Sequence, residues 1–143
     1  MIKIDIVIPV LNEEGSIQEC LNSVLNFENQ DRYNIHIYIV DGGSTDKSLE
    51  LVRNYQDNYD NITLIHNKKK IAASALNLAI EQGDGDYLMR LDAGNIFEKD
   101  YLNKCVETSL RNNAENVGGF LEIKAKSQSF SSKITQILMS HPF

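Results

Sequence analysis

Apolar and polar residues follow two rhythms that take turns along the chain. Residues 3–10, KIDIVIPV, are dense in β-branched side chains and predict a strand. The following stretch, NEEGSIQECLNSVLNF, sets Ile17, Cys20, Leu21, Val24 and Leu25 at the three-and-four spacing of one helix face. The pair then recurs. NIHIYIV (34–40) predicts a second strand, and STDKSLELVRNY a helix with Ser44 or Thr45 as N-cap and Leu49, Val52 and Tyr55 inward. NITLIH (61–66) predicts a third strand, and IAASALNLAIEQ (71–82) a helix that Gly83 can end. DYLMRLD (86–92) predicts a fourth strand and EKDYLNKCVETSLRN a fourth helix. VGGFLEIKA (117–125) and SSKITQILM (131–139) add a strand and the start of a helix.

Strands alternating with helices build right-handed βαβ units and a mainly parallel sheet covered on both faces. Ligands of such sheets sit beyond the carboxyl ends of the strands. That rule singles out PVLNEE, DGGSTD, HNKKK and DAGN. No repeat or linker interrupts the alternation, and 143 residues suit one domain with a proper core, so a single domain over 1–143 is expected. The closing KITQILMSHPF is amphipathic and stops without a cap or turn signal, the pattern of a truncated chain.

Composition changes the picture in three places. The 20 Asp+Glu against 14 Lys+Arg give a formal net charge of −6 and argue against a nucleic-acid binder, which needs a basic face. A small phosphorylated ligand needs only local donors. Cys20 and Cys105 lie in helical patterns without metal-ligand spacing and are expected as reduced core thiols, which suits a cytosolic chain. Met1 leads straight into a strand without a basic leader, and no apolar run nears the ~20 residues of a membrane span, so neither a signal peptide nor a transmembrane helix is expected.

The strand ends carry candidate chemistry. VDGGSTD (40–46) sets an aspartate at a strand end, two glycines where a backbone can turn or approach a ligand, and a hydroxyl at a helix start. Turn and capping duty alone explains the same residues, and is the commoner reason for them. Asp41 is also suited to accept a hydrogen bond from the imide N–H of a uracil-like base. VIPVLNEE supplies Asn12, Glu13 and Glu14, which equally suit an acidic first helical turn. Lys68 to Lys70 form an ordinary solvated run, yet one placed just before a helix, where lysine and free N–H groups together could hold a diphosphate. Arg90 inside an apolar strand needs a partner, and Asp92, two residues on and on the same face, is one candidate. His36, His66 and His141 show no metal or triad spacing.

In order and spacing, VIPVLNEEGSIQECLNSVL, IVDGGSTDKSLELV and IAASALNLAIEQGDGDYLMRLDAGN resemble the family 2 inverting glycosyltransferases of GT-A fold, over about residues 3–120. MRLDAGN with DYLNKCVE and AENVGG is most similar to the succinoglycan-biosynthesis branch. The resemblance implies an α/β, Rossmann-like GT-A fold, truncated to its donor-binding part. It implies transfer of a sugar, with inversion, from a nucleoside-diphosphate donor to a saccharide or lipid-linked acceptor in extracellular or cell-surface polysaccharide biosynthesis. A cytoplasmic setting follows, with membrane association at the cytoplasmic face left to a missing C-terminal part.

The same resemblance assigns roles. Pro9, Leu11 and Glu13 match a nucleotide-contacting loop; Asp41 matches the base-contacting aspartate, with Ser44 in its motif; Ala72, Ala73 and Asn77 match the helix beneath the sugar nucleotide. Asp92 matches the first aspartate of Asp-x-Asp, a substrate and metal ligand, with Arg90 beside it. Two departures stand out. Gly94 holds the second aspartate position, so Mg²⁺ or Mn²⁺ would be held poorly by Asp92, even with help from Asn95. No residue matches the general base that activates the acceptor hydroxyl, so the catalytic residue is unassigned and these residues alone are expected to be inactive. Three rivals bear on the reading. A sugar-phosphate nucleotidyltransferase needs a basic Gly-rich loop where PVLNEEGS is acidic, and a receiver-like module needs an aspartate where NITLIHN has none. A non-catalytic nucleotide-binding relic of the same fold stays open.

Overall fold

A strand as apolar on both sides as IKIDIVIPV belongs inside a parallel sheet, where neither face meets water. The structure, a computed structural model, describes residues 1–119 and places this strand, β1 (Ile2–Val10), between two parallel neighbours. The elements that follow are α1 (Ile17–Leu25), β2 (Tyr33–Asp41), α2 (Ser48–Gln56), β3 (Ile62–His66), α3 (Ala72–Gln82), β4 (Tyr87–Arg90) and α4 (Tyr101–Asn112). The strand order is β3-β2-β1-β4. The chain thus walks outward from β1 to β3 and then jumps back past β1 to β4. With right-handed crossovers, this reversal sends α3 to the opposite face of the sheet from α1 and α2.

Packing follows that division. Val7, Tyr38, Val40 and Ile65 form one buried cluster with Ala75 and Ala79 of α3. Two alanines one helical turn apart let the helix sit close upon the strands. The alternate residues, Ile4, Ile6, Ile8, Ile37 and Ile39, are at most 1% exposed, and Ile17, Cys20, Leu21 and Val24 are the buried stripe of α1. Each such isoleucine contributes roughly 1.5–3 kcal/mol by leaving water.

Helix starts differ from the sequence reading. α2 begins at Ser48, so neither Ser44 nor Thr45 is its N-cap; that position falls to Lys47, which makes no side-chain cap. The reason is non-local. The backbone N–H groups of Thr45 and Lys47 donate to Asn12 and Glu14 in the loop after β1, while Ser48 N–H is met by Asp46 at 2.9 Å. α1 likewise starts at Ile17 and not within NEEGS. Gly83 does end α3, but in an extended conformation, φ −88° and ψ 162°. The glycine is needed there because a Cβ would stand 2.0 Å from Asp5 Oδ2.

Met1–Lys104 form one compact unit and Cys105–Phe143 a second; the sheet lies wholly in the first. The strand expected over 117–125 falls mostly, and the helix start over 131–139 entirely, outside the described residues. Among the described residues no helix is long and apolar enough to cross a membrane.

Candidate functional site

Beyond the carboxyl ends of the strands, where the strand order reverses, a cleft of about 310 Å³ opens. Its walls include Pro9 near the end of β1, Leu11 and Glu13 after it, Lys70 and Ala72 at the start of α3, and Asp92 after β4. Of the ten residues given a role through the resemblance, five are therefore brought together here, Pro9, Leu11, Glu13, Ala72 and Asp92, and Lys70 of the lysine run joins them. Asp41, Ser44, Ala73, Asn77 and Arg90 do not line the cleft. Gly42, directly after Asp41, does.

Asp41 lies under the wall. It is 1% exposed, and its carboxylate accepts the N–H of Gly43 at 2.8 Å and of Ser44 at 3.1 and 3.2 Å. His66 Nδ1 stands 3.7 Å from the same carboxylate. These bonds curl the backbone into a tight turn in which Gly43 takes φ +91°, a conformation that glycine alone adopts without cost. The Lys70 side chain lies across this turn, its Nζ 3.3 Å from where a Cβ on Gly43 would be.

The loops after β1 and β2 are clasped residue against residue. Asn12 N–H donates to Ser44 Oγ at 3.0 Å, Glu13 N–H to Ser48 Oγ at 2.7 Å and Glu14 N–H to Asp46 Oδ2 at 3.1 Å. In return, Asn12 Oδ1 accepts Thr45 N–H at 2.8 Å and Glu14 Oε2 accepts Lys47 N–H at 3.0 Å. Ser44 thereby acts on the cleft through the backbone it holds. A second fixed turn precedes α3. Asn67, 2% exposed, accepts from Lys69 N–H at 3.1 Å and from the Ser74 hydroxyl, and donates to the Ile71 carbonyl at 2.9 Å. It sets Lys70 in the left-handed region, φ 57°. No side chain caps the first turn of α3, leaving its N–H dipoles available to an anion. Asn67 escaped the sequence reading; its only signal is an asparagine just before a charged run and a helix.

Asp92 is placed from below by α1. Cys20 Sγ lies 3.8 Å from the Asp92 carbonyl and Ser23 Oγ accepts Phe97 N–H at 3.1 Å. Burial, with the nearby carboxylates of Glu13 and Asp92, pushes the Cys20 thiol up to about 12, so it stays a protonated donor. Cys20 is buried as expected, whereas Cys105 is only half-buried. The partner expected for Arg90 is found: its Nε and Nη2 lie 3.1 and 3.0 Å from Asp92 Oδ1. A Cβ at Gly94 would meet nothing within 4 Å. Among the described residues no three His, Cys, Asp or Glu side chains converge on a cation position. One carboxylate, half engaged by a guanidinium, does not fit the oxygen-rich shell that Mg²⁺ or Mn²⁺ requires.

Residues 5–141 match the model of Glycosyl transferase family 2. The chain belongs to this family. It is 35% identical to the dolichyl N-acetyl-alpha-D-glucosaminyl phosphate 3-beta-D-2,3-diacetamido-2,3-dideoxy-beta-D-glucuronosyltransferase of Methanococcus voltae, over 97% of this chain and 44% of that protein. It is 35% identical to the succinoglycan biosynthesis protein ExoA of Rhizobium meliloti (strain 1021), over 76% of this chain and 34% of that protein. The chain therefore spans less than half the length of either relative. Among solved structures, S. aureus TarS 1–349 in complex with UDP-GlcNAc superposes with a TM-score of 0.67 at 19% identity, covering 88% of this chain and 39% of that one. Mannosyltransferase PcManGT from Pyrobaculum calidifontis, in complex with GDP-Man and Mn²⁺, gives a TM-score of 0.67 at 24% identity, covering 74% and 32%. These two likenesses establish the shared GT-A fold.

Proposed function

We propose that this chain is the donor-binding part of an inverting glycosyltransferase that moves a sugar from a nucleoside diphosphate to a saccharide or lipid-linked acceptor, on the cytoplasmic side, in the building of a surface glycan. The observation that carries it is the cleft itself: an apolar wall from Pro9 and Leu11, Lys70 beside an uncapped helix start, and Asp92 opposite. That set matches the parts of a nucleotide sugar, with a flat base, a dianionic diphosphate and hydroxyl-bearing sugars. The complexes of TarS with UDP-GlcNAc and of PcManGT with GDP-Man support the class of ligand. In such a transfer the leaving diphosphate gains charge as the sugar–oxygen bond breaks. Lys70 and the α3 dipole would stabilise that charge, and the fixed loops would hold the sugar in line for attack.

Calorimetric titration with UDP, GDP, UDP-GlcNAc and GDP-mannose tests this reading. At least one is expected to bind, and Asp92→Asn to weaken it by about 1–2 kcal/mol, the scale of a hydrogen bond to a charged group. The fold should survive, since Asp92 is exposed. Binding by none of the four would remove the donor site.

A further inference from the structure

The geometry points to a donor site in which this chain's own cations, Arg90 and Lys70, hold the diphosphate in the place of a divalent metal. The inference rests on the donor-binding reading above and adds what neutralises the ligand. Three observations carry it.

The acidic side is deficient. Asp92 has Oδ1 occupied by both Nε and Nη2 of Arg90, and Gly94 contributes no side-chain oxygen two residues on. A dication brought to Asp92 would meet a guanidinium already seated on the same carboxylate, and the two positive charges repel.

The basic side is supplied. Arg90 pairs across the sheet with Val7, and residues paired in register project to the same face. Val7 packs under Ala75 and Ala79 of α3. Arg90 therefore leaves the sheet on the α3 side and, though not part of the cleft wall, stands at its edge through Asp92, which does line it. A guanidinium has five N–H donors and Asp92 takes two, so three remain for phosphate oxygens. The side chain is 50% exposed, so a ligand can reach them. Among the described residues no carboxylate pairs with the Lys70 ammonium, which faces the cleft over Gly43.

The cations are also held in place. Asp92 orients Arg90, and the Asn67 turn fixes the backbone of Lys70 in its left-handed conformation. Ligation by two positioned side chains loses less freedom on binding than two mobile ones would.

The test is calorimetric titration of UDP and of GDP into the chain, first with EDTA and then with Mn²⁺, alongside uridine and guanosine. Circular dichroism on each variant controls for folding. At least one nucleoside diphosphate should bind in EDTA, with Mn²⁺ changing its affinity by less than about two-fold. Arg90→Gln and Lys70→Gln should each weaken diphosphate binding about ten-fold, the scale of a charge-assisted contact, and leave nucleoside binding unchanged. Arg90→Gln should also gain a response to Mn²⁺, because it releases the Asp92 carboxylate; a merely structural arginine would leave diphosphate affinity in EDTA unchanged. Binding that requires Mn²⁺ in the unaltered chain overturns the cation site and leaves the donor reading standing. Diphosphate affinity untouched in both variants overturns it as well. Absence of binding under either condition overturns both readings together.

Discussion

Cys20 links three parts of the candidate site. Its thiol is fully buried, lies against the Asp92 carbonyl and feels the charges of Glu13 and Asp92, both of which line the cleft. Its pKa rises from an ordinary 9.0 to about 12, through burial first and these carboxylates second. The folded chain holds this proton more tightly than the unfolded chain does, so once the unfolded chain begins to release it the balance moves towards unfolding. The stabilisation is whole below about pH 9 and is lost as pH rises from 9 towards 12, by up to about 1.4 kcal/mol per pH unit. Urea denaturation at about pH 8 and about pH 11 should show the unaltered chain losing more stability than Cys20→Ala, which has no thiol to titrate. Equal losses would refute the linkage. The residue scale also shows how much of the site the sequence discloses. Pro9, Leu11, Glu13 and Asp92 lie in the strand-end segments, which topology alone sends to one edge, whereas Ala72 is reached only through the family resemblance. Lys70 stood in that reading as one of three lysines, and the sequence holds nothing to say which one enters the cleft. Its selection depends on a left-handed φ and on the buried Asn67, and neither leaves a periodic mark. Asp41 and Ser44 were legible as turn residues, and their bonds to backbone N–H groups give them that work.

At the scale of elements, the junction of α3 and β4 shows a glycine required by proximity. Asp5, in the middle of β1, turns its carboxylate toward the α3–β4 connection and accepts Gly85 N–H at 2.8 Å. Any side chain at Gly83 collides with that carboxylate, which cannot move without breaking the Gly85 bond. Gly83→Ala should therefore destabilise the chain by about 1–3 kcal/mol. Gly15→Ala, where a Cβ meets nothing within 4 Å, should change stability by less than about 0.5 kcal/mol. Denaturant midpoints of the two variants decide it, and a neutral Gly83→Ala would show that the junction is slack. The elements themselves were largely legible. Each described strand lies within two residues of its expected bounds, because a run such as IDIVI or IHIYIV can be buried in no other way. The starts of α1 and α2 were not legible. The residues expected to open them are spent on bonds between the loops after β1 and β2, across 32 to 35 positions of sequence. Local propensity carries no information about such a partner.

On the scale of the molecule, a chain with net charge −6 places its candidate anion site where the positive groups are local and fixed, at Lys70, Arg90 and the start of α3. Every wall of the cleft belongs to the unit Met1–Lys104, so whatever binds there stabilises that unit directly. Mass action sets the size: a ligand at a hundred times its Kd adds about 2.7 kcal/mol. For a unit of this size each kcal/mol is worth roughly 4–8 °C in Tm. Saturating UDP or GDP should therefore raise the melting transition of the sheet by roughly 10 °C or more, with Mn²⁺ adding little. Hydrogen exchange should slow in the loops after β1 and β2, in the Asn67 turn and around Asp92, since these are the segments that line or brace the cleft. The matched relatives are more than twice the length of this chain, which covers 44% and 34% of the two compared. Binding is accordingly the property predicted of these residues, and sugar transfer that of the whole protein. Scanning calorimetry with and without nucleotide, read beside exchange at these loops, settles the matter. An unmoved transition at saturating UDP and GDP would mean that the cleft is a groove of the fold and no nucleotide site.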